Sequence, residues 1–163
     1  MIDTPAKSEV AILAAGCFWG VEETFRVLPG VVSTEVGYTG GHTENPIYET
    51  VCTDQTGHAE ALKIVFDPTK ISYAELLKVF FANHNPTTKN QQGPDFGSQY
   101  RSAIFCTTPE QEKIAHDAKQ KEDASGIWKH PVVTEITKAT TFYSAEAYHQ
   151  KYLQKRGLGS CHI

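Results

Sequence analysis

The sequence predicts an α/β (α+β) fold: a single-domain split βαβ (ferredoxin-like) plait, with helices packed on a mixed sheet and additional C-terminal α-β-α elements. Three observations carry this. Apolar runs of period two alternate with runs of period near 3.6, in the order β-α-β-β-α-β and then α-β-α. A chain of 163 residues suits one domain and can bury a real core. At 40% hydrophobic and 21% charged residues the composition is globular, and no Pro/Ser-rich linker or internal repeat divides it. The expected unit is one domain over residues 1–163, with a mobile, glycine-containing tail at about 157–163.

Ser8 to Ala15 reads as a strand, with Val10, Ile12 and Leu13 apolar and Gly16 closing the run. The helix that follows sets Val21, Phe25 and Leu28 on one stripe, and Pro29-Gly30 ends it. Val32, Thr34, Val36 and Tyr38 share one face of the next strand. Thr39 to Gly57, rich in Gly, Asn, Pro and Thr, reads as a long functional loop with one helical turn near Tyr48. Leu62, Ile64 and Phe66 alternate in a strand that stops at Asp67-Pro68. Ser72 and Glu75 form a capping box, and Tyr73, Leu76, Leu77, Phe80 and Phe81 share one face of the helix behind it. Asn83 to Ser98 is a second polar loop, and Arg101 to Cys106 another strand. Thr108-Pro109 opens a helix that Gly126 closes. Val132 to Ile136 reads as a strand, and Ser144 to Lys155 as a last helix capped by Gly157.

Charge and cysteine usage narrow the function classes. A net charge of −4 and a pI near 6.0 argue against a sequence-blind grip on nucleic acid through a basic surface. No apolar run approaches the roughly 20 residues that cross a bilayer, and the N-terminus lacks a basic-then-apolar signal pattern. A cytoplasmic protein without a membrane partner is expected. The four cysteines show no C-x-x-C and no paired Cys/His cluster, and none of the seven histidines has convincing ligand spacing. No metal is expected.

The residues that can carry chemistry cluster around Cys17. It sits between a strand and a helix start, in Gly16-Cys17-Phe18-Trp19-Gly20. Unpaired N–H groups and the helix dipole stabilise a thiolate there and lower its pKa. A packed cysteine at a strand–helix joint fits the same spacing. Glu60 has the parity of Leu62, Ile64 and Phe66. On that apolar face its pKa should rise, leaving a neutral acid able to donate a proton; a strand-end Glu reaching solvent fits too. Tyr48 and Tyr100 bring neutral hydroxyl donors from the two polar loops. Asp95 lies in the turn Gly93-Pro94-Asp95-Phe96-Gly97. Cys161, among tail glycines, is either an incidental exposed thiol or a mobile one suited to thiol–disulfide exchange. Cys106 ends an apolar strand and reads as structural. Cys52, in the loop after Tyr48, stays open, with an alternative resolving thiol as one reading.

Gly16-Cys17-Phe18-Trp19-Gly20 resembles the signature of the A-type peptide methionine sulfoxide reductases. The resemblance continues, in family order, through Gly37-Tyr38-Thr39-Gly40-Gly41, Asn45-Pro46-Ile47-Tyr48, Gly57-His58-Ala59-Glu60-Ala61, Gln99-Tyr100-Arg101-Ser102 and Tyr148-His149-Gln150. It implies a peptide-methionine (S)-S-oxide reductase that repairs methionine sulfoxide, in oxidised proteins or free, through a cysteine sulfenic acid. It further implies Cys17 as nucleophile, Glu60 as the acid, Tyr48 and Tyr100 as ligands of the sulfoxide oxygen, and Phe18 and Trp19 as the wall for the methyl group. Asp95 takes a supporting role. The recycling thiol it implies near the C-terminus is Cys161, in one Cys17–Cys161 disulfide reduced by a thioredoxin-like dithiol, with no bound cofactor and a monomeric enzyme. Asn85, in His84-Asn85-Pro86-Thr87, departs from the family, where aspartate is common. Two rival readings remain. A cysteine hydrolase or acyl-transferase would form a thioester and need no reductant. A non-enzymatic plait binding module would tolerate loss of Cys17 and Glu60 together.

Overall fold

The computed structural model describes residues 8–16, 18–53, 55–92 and 95–151, and its sheet forms where the period-two apolar residues lie. Strand β1 (Glu9–Ala15) leads to helix α1 (Phe18–Arg26), strand β2 (Val31–Thr39), the single helical turn α2 (Tyr48–Val51), strand β3 (Ala59–Phe66) and helix α3 (Tyr73–Ala82). A small hairpin of β4 (Gln91–Gln92) and β5 (Asp95–Phe96) follows, then a 3-10 turn at Ser98–Tyr100 and strand β6 (Ser102–Cys106). Helix α4 (Pro109–Ala124), strands β7 (Glu135–Lys138) and β8 (Tyr143–Ser144), and a 3-10 turn at Ala147–His149 complete the described chain.

Six strands make one mixed sheet in the order β7-β6-β1-β3-β2-β8. β1 pairs antiparallel with β3 and β6, and β2 antiparallel with β3 and β8; β7 joins β6 in parallel. β3 therefore lies between β1 and β2, and the β1-α1-β2 connection crosses over it. One sheet face packs Leu13, Val36, Leu62, Ile64 and Ile104 against Phe25 of α1 and Leu76, Leu77 and Phe80 of α3. Burying each such side chain contributes about 1.5–3 kcal/mol. The other face carries small residues, Ala14, Ala59, Ala61 and Ala103, beside Ile12 and Phe105, with Phe142 against them. Alternation in β3 puts Glu60 on the helix-covered face with Leu62 and Ile64.

Local signals start the helices as the sequence indicates. The Ser72 hydroxyl accepts the Glu75 N–H at 3.1 Å, and Glu75 Oε1 accepts the Ser72 N–H at 3.4 Å, closing the capping box. Thr108 Oγ1 accepts the Gln111 N–H at 3.1 Å, with Pro109 opening α4. Among the described residues no helix is long and apolar enough to cross a membrane.

The C-terminal region differs from the sequence reading. The expected strand over Val132–Ile136 forms instead at Glu135–Lys138. Residues ahead of it bond elsewhere: the Val132 N–H donates to Asp123 and the Val133 N–H to the Pro86 carbonyl. The expected helix over Ser144–Lys155 is not formed in its described part, which holds the end of β8 and a 3-10 turn; residues 152–155 lie outside the described chain. The reason is tertiary. The Gln150 side chain takes the Val36 N–H and donates to the Val36 carbonyl, while the Ala145 N–H donates to that same carbonyl. The segment satisfies its polar groups on β2, and Lys151 leaves it at φ 53°. The polar stretch Asn83–Ser98, expected as loop, also contains the β4–β5 hairpin.

Candidate active site

Gly16 closes β1 at φ +97°, and a Cβ there would come within 2.8 Å of Gln92 Cγ. Glycine is required twice, by the left-handed backbone and by the close approach of β4. Cys17, next in the chain, lies outside the described residues, as does Cys161. Phe18 then opens α1. The first N–H groups of a helix have no acceptor within it. The Phe18 N–H, one residue past position 17, donates to Glu60 Oε1 at 3.3 Å.

Glu60 is 1% exposed. Its second oxygen, Oε2, accepts from Gln99 Nε2 at 3.2 Å. The same amide nitrogen lies 3.6 Å from Cys52 Sγ, just past α2. Tyr48 opens α2 and turns its hydroxyl into this group. Burial, then the Cys52 thiol and the proximity of Tyr100 and Glu60, push the Tyr48 hydroxyl well above the usual tyrosine range. It is therefore a protonated donor at neutral pH. Glu60, Tyr48 and Tyr100, from three separate elements, thus meet at one place, joined by Gln99 and Cys52.

An aromatic cluster stands beside them. The Phe18 ring lies 5.7 Å from Tyr38 and 5.1 Å from His149. The Trp19 and Tyr48 rings lie 5.6 Å and 4.8 Å from the same histidine. Trp19 Nε1–H donates to His149 Nδ1 at 2.9 Å. Glu146 fastens this turn down: Oε1 accepts the Tyr38 hydroxyl and Oε2 the Tyr48 N–H, each at 2.9 Å. Burial alone would raise the Glu146 pKa, but the Tyr48 N–H, its own N–H, the Tyr38 hydroxyl and His149 hold it below the usual carboxylate range. Gln99 and His149 received no role from sequence reasoning. Their signal was membership of Gln99-Tyr100-Arg101-Ser102 and Tyr148-His149-Gln150.

The surrounding loops are pinned by side chains. Buried His58 accepts the Gly41 N–H at Nδ1, 3.0 Å away, which leaves the ring proton on Nε2 to reach the Thr43 carbonyl at 2.7 Å. A Cβ on Gly41 would lie 2.4 Å from both His58 N and Thr56 O. Gly41→Ala is expected to destabilise the fold by about 1–3 kcal/mol, read as a lower calorimetric midpoint; an unchanged midpoint would show that the loop yields freely. Asn85 Oδ1 accepts the Thr87 N–H at 3.0 Å and its hydroxyl at 2.6 Å. Among the described residues that turn uses only an acceptor oxygen, which asparagine supplies as well as aspartate would. Asp95 sits on β5, opposite Gln92, in the hairpin that leans on Gly16. Cys106 is buried at the end of β6, where burial, then Glu112, push its thiol up. Among the described residues no three His, Cys, Asp or Glu side chains are placed to hold a metal ion.

Comparison with known proteins places the sheet and helices in a family. A peptide methionine sulfoxide reductase MsrA of Methanoculleus marisnigri is 56% identical over 158 residues, 96% of each chain. The reduced form of Mxr1 from Saccharomyces cerevisiae matches with a TM-score of 0.90 at 36% identity, over 99% of this chain and 92% of that one. Mxr1 in complex with Trx2 matches with a TM-score of 0.65 at 28% identity, over 93% and 89%. The family model for peptide methionine sulfoxide reductase spans residues 9–163. Similarity this extensive takes in both the sheet and the elements that carry Glu60, Tyr48 and Tyr100, and the chain belongs to the peptide methionine sulfoxide reductase family.

Proposed function

We propose that the chain reduces the S-epimer of methionine sulfoxide, free or in proteins, with Cys17 as nucleophile and Glu60 as the acid. The observation that carries this reading is the burial of Glu60 beside the start of α1, where its two oxygens accept from Phe18 and Gln99. Held there, the carboxyl accepts the N–H of the residue that follows position 17. The Cys17 thiolate attacks the sulfoxide sulfur. Negative charge grows on the oxygen and is met by Glu60 and the hydroxyls of Tyr48 and Tyr100, as in an oxyanion hole. Phe18 and Trp19 wall the methyl group, and Asp95 supports the site. The oxygen passes to sulfur: Cys17 thiol and sulfoxide become Cys17 sulfenic acid and methionine.

Cys161 then condenses with the sulfenic acid, forming the Cys17–Cys161 disulfide and releasing water. An external dithiol, of the thioredoxin class named in the Mxr1 complex, returns both thiols and leaves as its own disulfide. These steps call on no bound cofactor or metal. The cytoplasm, which keeps such dithiols reduced, is the working compartment this chemistry fits.

The test is a single turnover of the reduced protein with each epimer of a methionine sulfoxide peptide. Methionine release from the S-epimer alone, with loss of two thiols mapped to Cys17 and Cys161, is expected. Release from neither epimer would overturn the reading. A disulfide that includes Cys52 would overturn the relay while leaving the reduction step standing.

A further inference from the structure

His149 is 1% exposed, yet it belongs to none of the steps above. It is reached across the fold by Trp19, whose indole N–H donates to Nδ1 at 2.9 Å. An indole nitrogen donates only, so the imidazole Nδ1 must carry a lone pair and the ring must be neutral. A protonated ring carries hydrogen on both nitrogens, and its Nδ1–H would oppose the Trp19 N–H. The same ring packs against Phe18 and Tyr48. It therefore touches the two residues read as the methyl wall and one read as an oxygen donor.

We propose that His149 is a positioning residue for the Phe18–Trp19 pocket: its neutral ring holds the indole in place, and protonation of the ring releases it. The proposal rests on the reading of Phe18 and Trp19 as the wall for the substrate methyl. It makes the methyl pocket itself sensitive to pH.

The surroundings decide the direction. Among the described residues, the titratable groups facing the ring are Glu146 of its own turn, with Oε1 3.9 Å from Nε2, and Tyr48 of α2. Tyr38 of β2 acts through its hydroxyl on Glu146. Phe18 and Trp19 of α1 bring no charge. Burial lowers the His149 pKa below the ordinary histidine value, and Glu146 opposes this only in part. The unfolded chain then takes up the proton first. Stability from this group is complete above the ordinary histidine pKa and is lost as pH falls toward the folded value.

The readout is the indole ¹H–¹⁵N resonance of Trp19, one of two tryptophans, assigned by its loss in Trp19→Phe. In the wild type this resonance is expected to move as pH falls from about 8 to 4.5, across and below the histidine range, and KM for the sulfoxide to rise in the same window. His149→Gln keeps an acceptor that does not titrate, so both quantities should stay constant. His149→Phe removes the acceptor and should raise KM about tenfold at neutral pH, the low end of what one methyl-sized contact discriminates, with kcat changed less. A Trp19 resonance indifferent to pH and to His149→Phe would overturn the proposal. The underlying reading fails separately: if Trp19→Ala leaves KM unchanged, Trp19 does not wall the methyl, and His149 loses its pocket role whatever the resonance does.

Discussion

Glu60→Gln is expected to slow methionine release in a single turnover by about 10²–10⁴-fold, the usual worth of a positioned general acid. The substitution is nearly isosteric. It keeps an acceptor for the Phe18 N–H at 3.3 Å. It replaces the partner of Gln99 Nε2, 3.2 Å away, by an amide that can turn its oxygen toward only one of the two donors. What it removes outright is the transferable proton. Substrate affinity should therefore change little, and the loss should fall on the chemical step. Rapid quench of the reduced variant with the S-epimer separates the two, since the amplitude reports binding and the rate reports chemistry. A rate equal to that of the wild type would remove Glu60 from the acid role and direct attention to the Tyr48 hydroxyl. Tyr48 keeps its proton at any physiological pH because burial and its neighbours hold it there.

Phe80→Ala is expected to cost about 3–5 kcal/mol of stability. Phe80 is fully buried where α3 meets the sheet. Its ring lies 5.0 Å from Phe81 and 4.3 Å from His84. His84 in turn bonds the Phe80 carbonyl and the Ser102 hydroxyl, which ties the end of α3 to β6. Truncation leaves a cavity that these fixed partners cannot close. Domains of this kind hold only about 5–15 kcal/mol in total, so a large share is lost. At about 2–4 °C for each kcal/mol in a chain of this size, the melting midpoint should drop by roughly 10 °C. A drop of only a degree or two in calorimetry would mean that α3 repacks, and that the helix layer is looser than its burial indicates.

The two experiments probe different layers of one arrangement. Phe80 belongs to the core that holds the sheet and helices in register. Glu60 is an ionisable side chain on that same helix-covered face, and it stays buried because α1 and the Ser98–Tyr100 turn each bring a donor to it.

Much of this was written locally. The alternation of Leu62, Ile64 and Phe66 gave Glu60 the parity of the buried face, because successive side chains in a strand point to opposite sides. It left a strand-end Glu reaching solvent open until the family resemblance decided between them. Ser72 with Glu75, and Thr108 with Pro109, marked helix starts through bonds spanning three residues. The turn near Tyr48 and the strands through Val36 and Ile104 followed from composition and period. The ordered sequence blocks named the family, since their residues serve one site although they are scattered along the chain.

The partners that complete the site belong to the tertiary structure. Gln99 reaches Glu60 across 39 positions, and Trp19 reaches His149 across 130. No periodicity encodes contacts of that separation. The same cause redirected the segment after Ser144. Its local pattern resembles a helix, but β2 offers the backbone groups of Val36 to Gln150 and Ala145, and Tyr38 and the Tyr48 N–H bind Glu146. A helix of about a dozen residues is marginal by itself in water, so an edge with unsatisfied donors and acceptors outweighs it. The sequence by itself determined which residue types face the core and which motifs carry the chemistry, because those depend on spacing of a few residues. Only the folded sheet decided which donors hold Glu60 and which acceptor holds Trp19, because those bonds exist only once distant segments have been packed together.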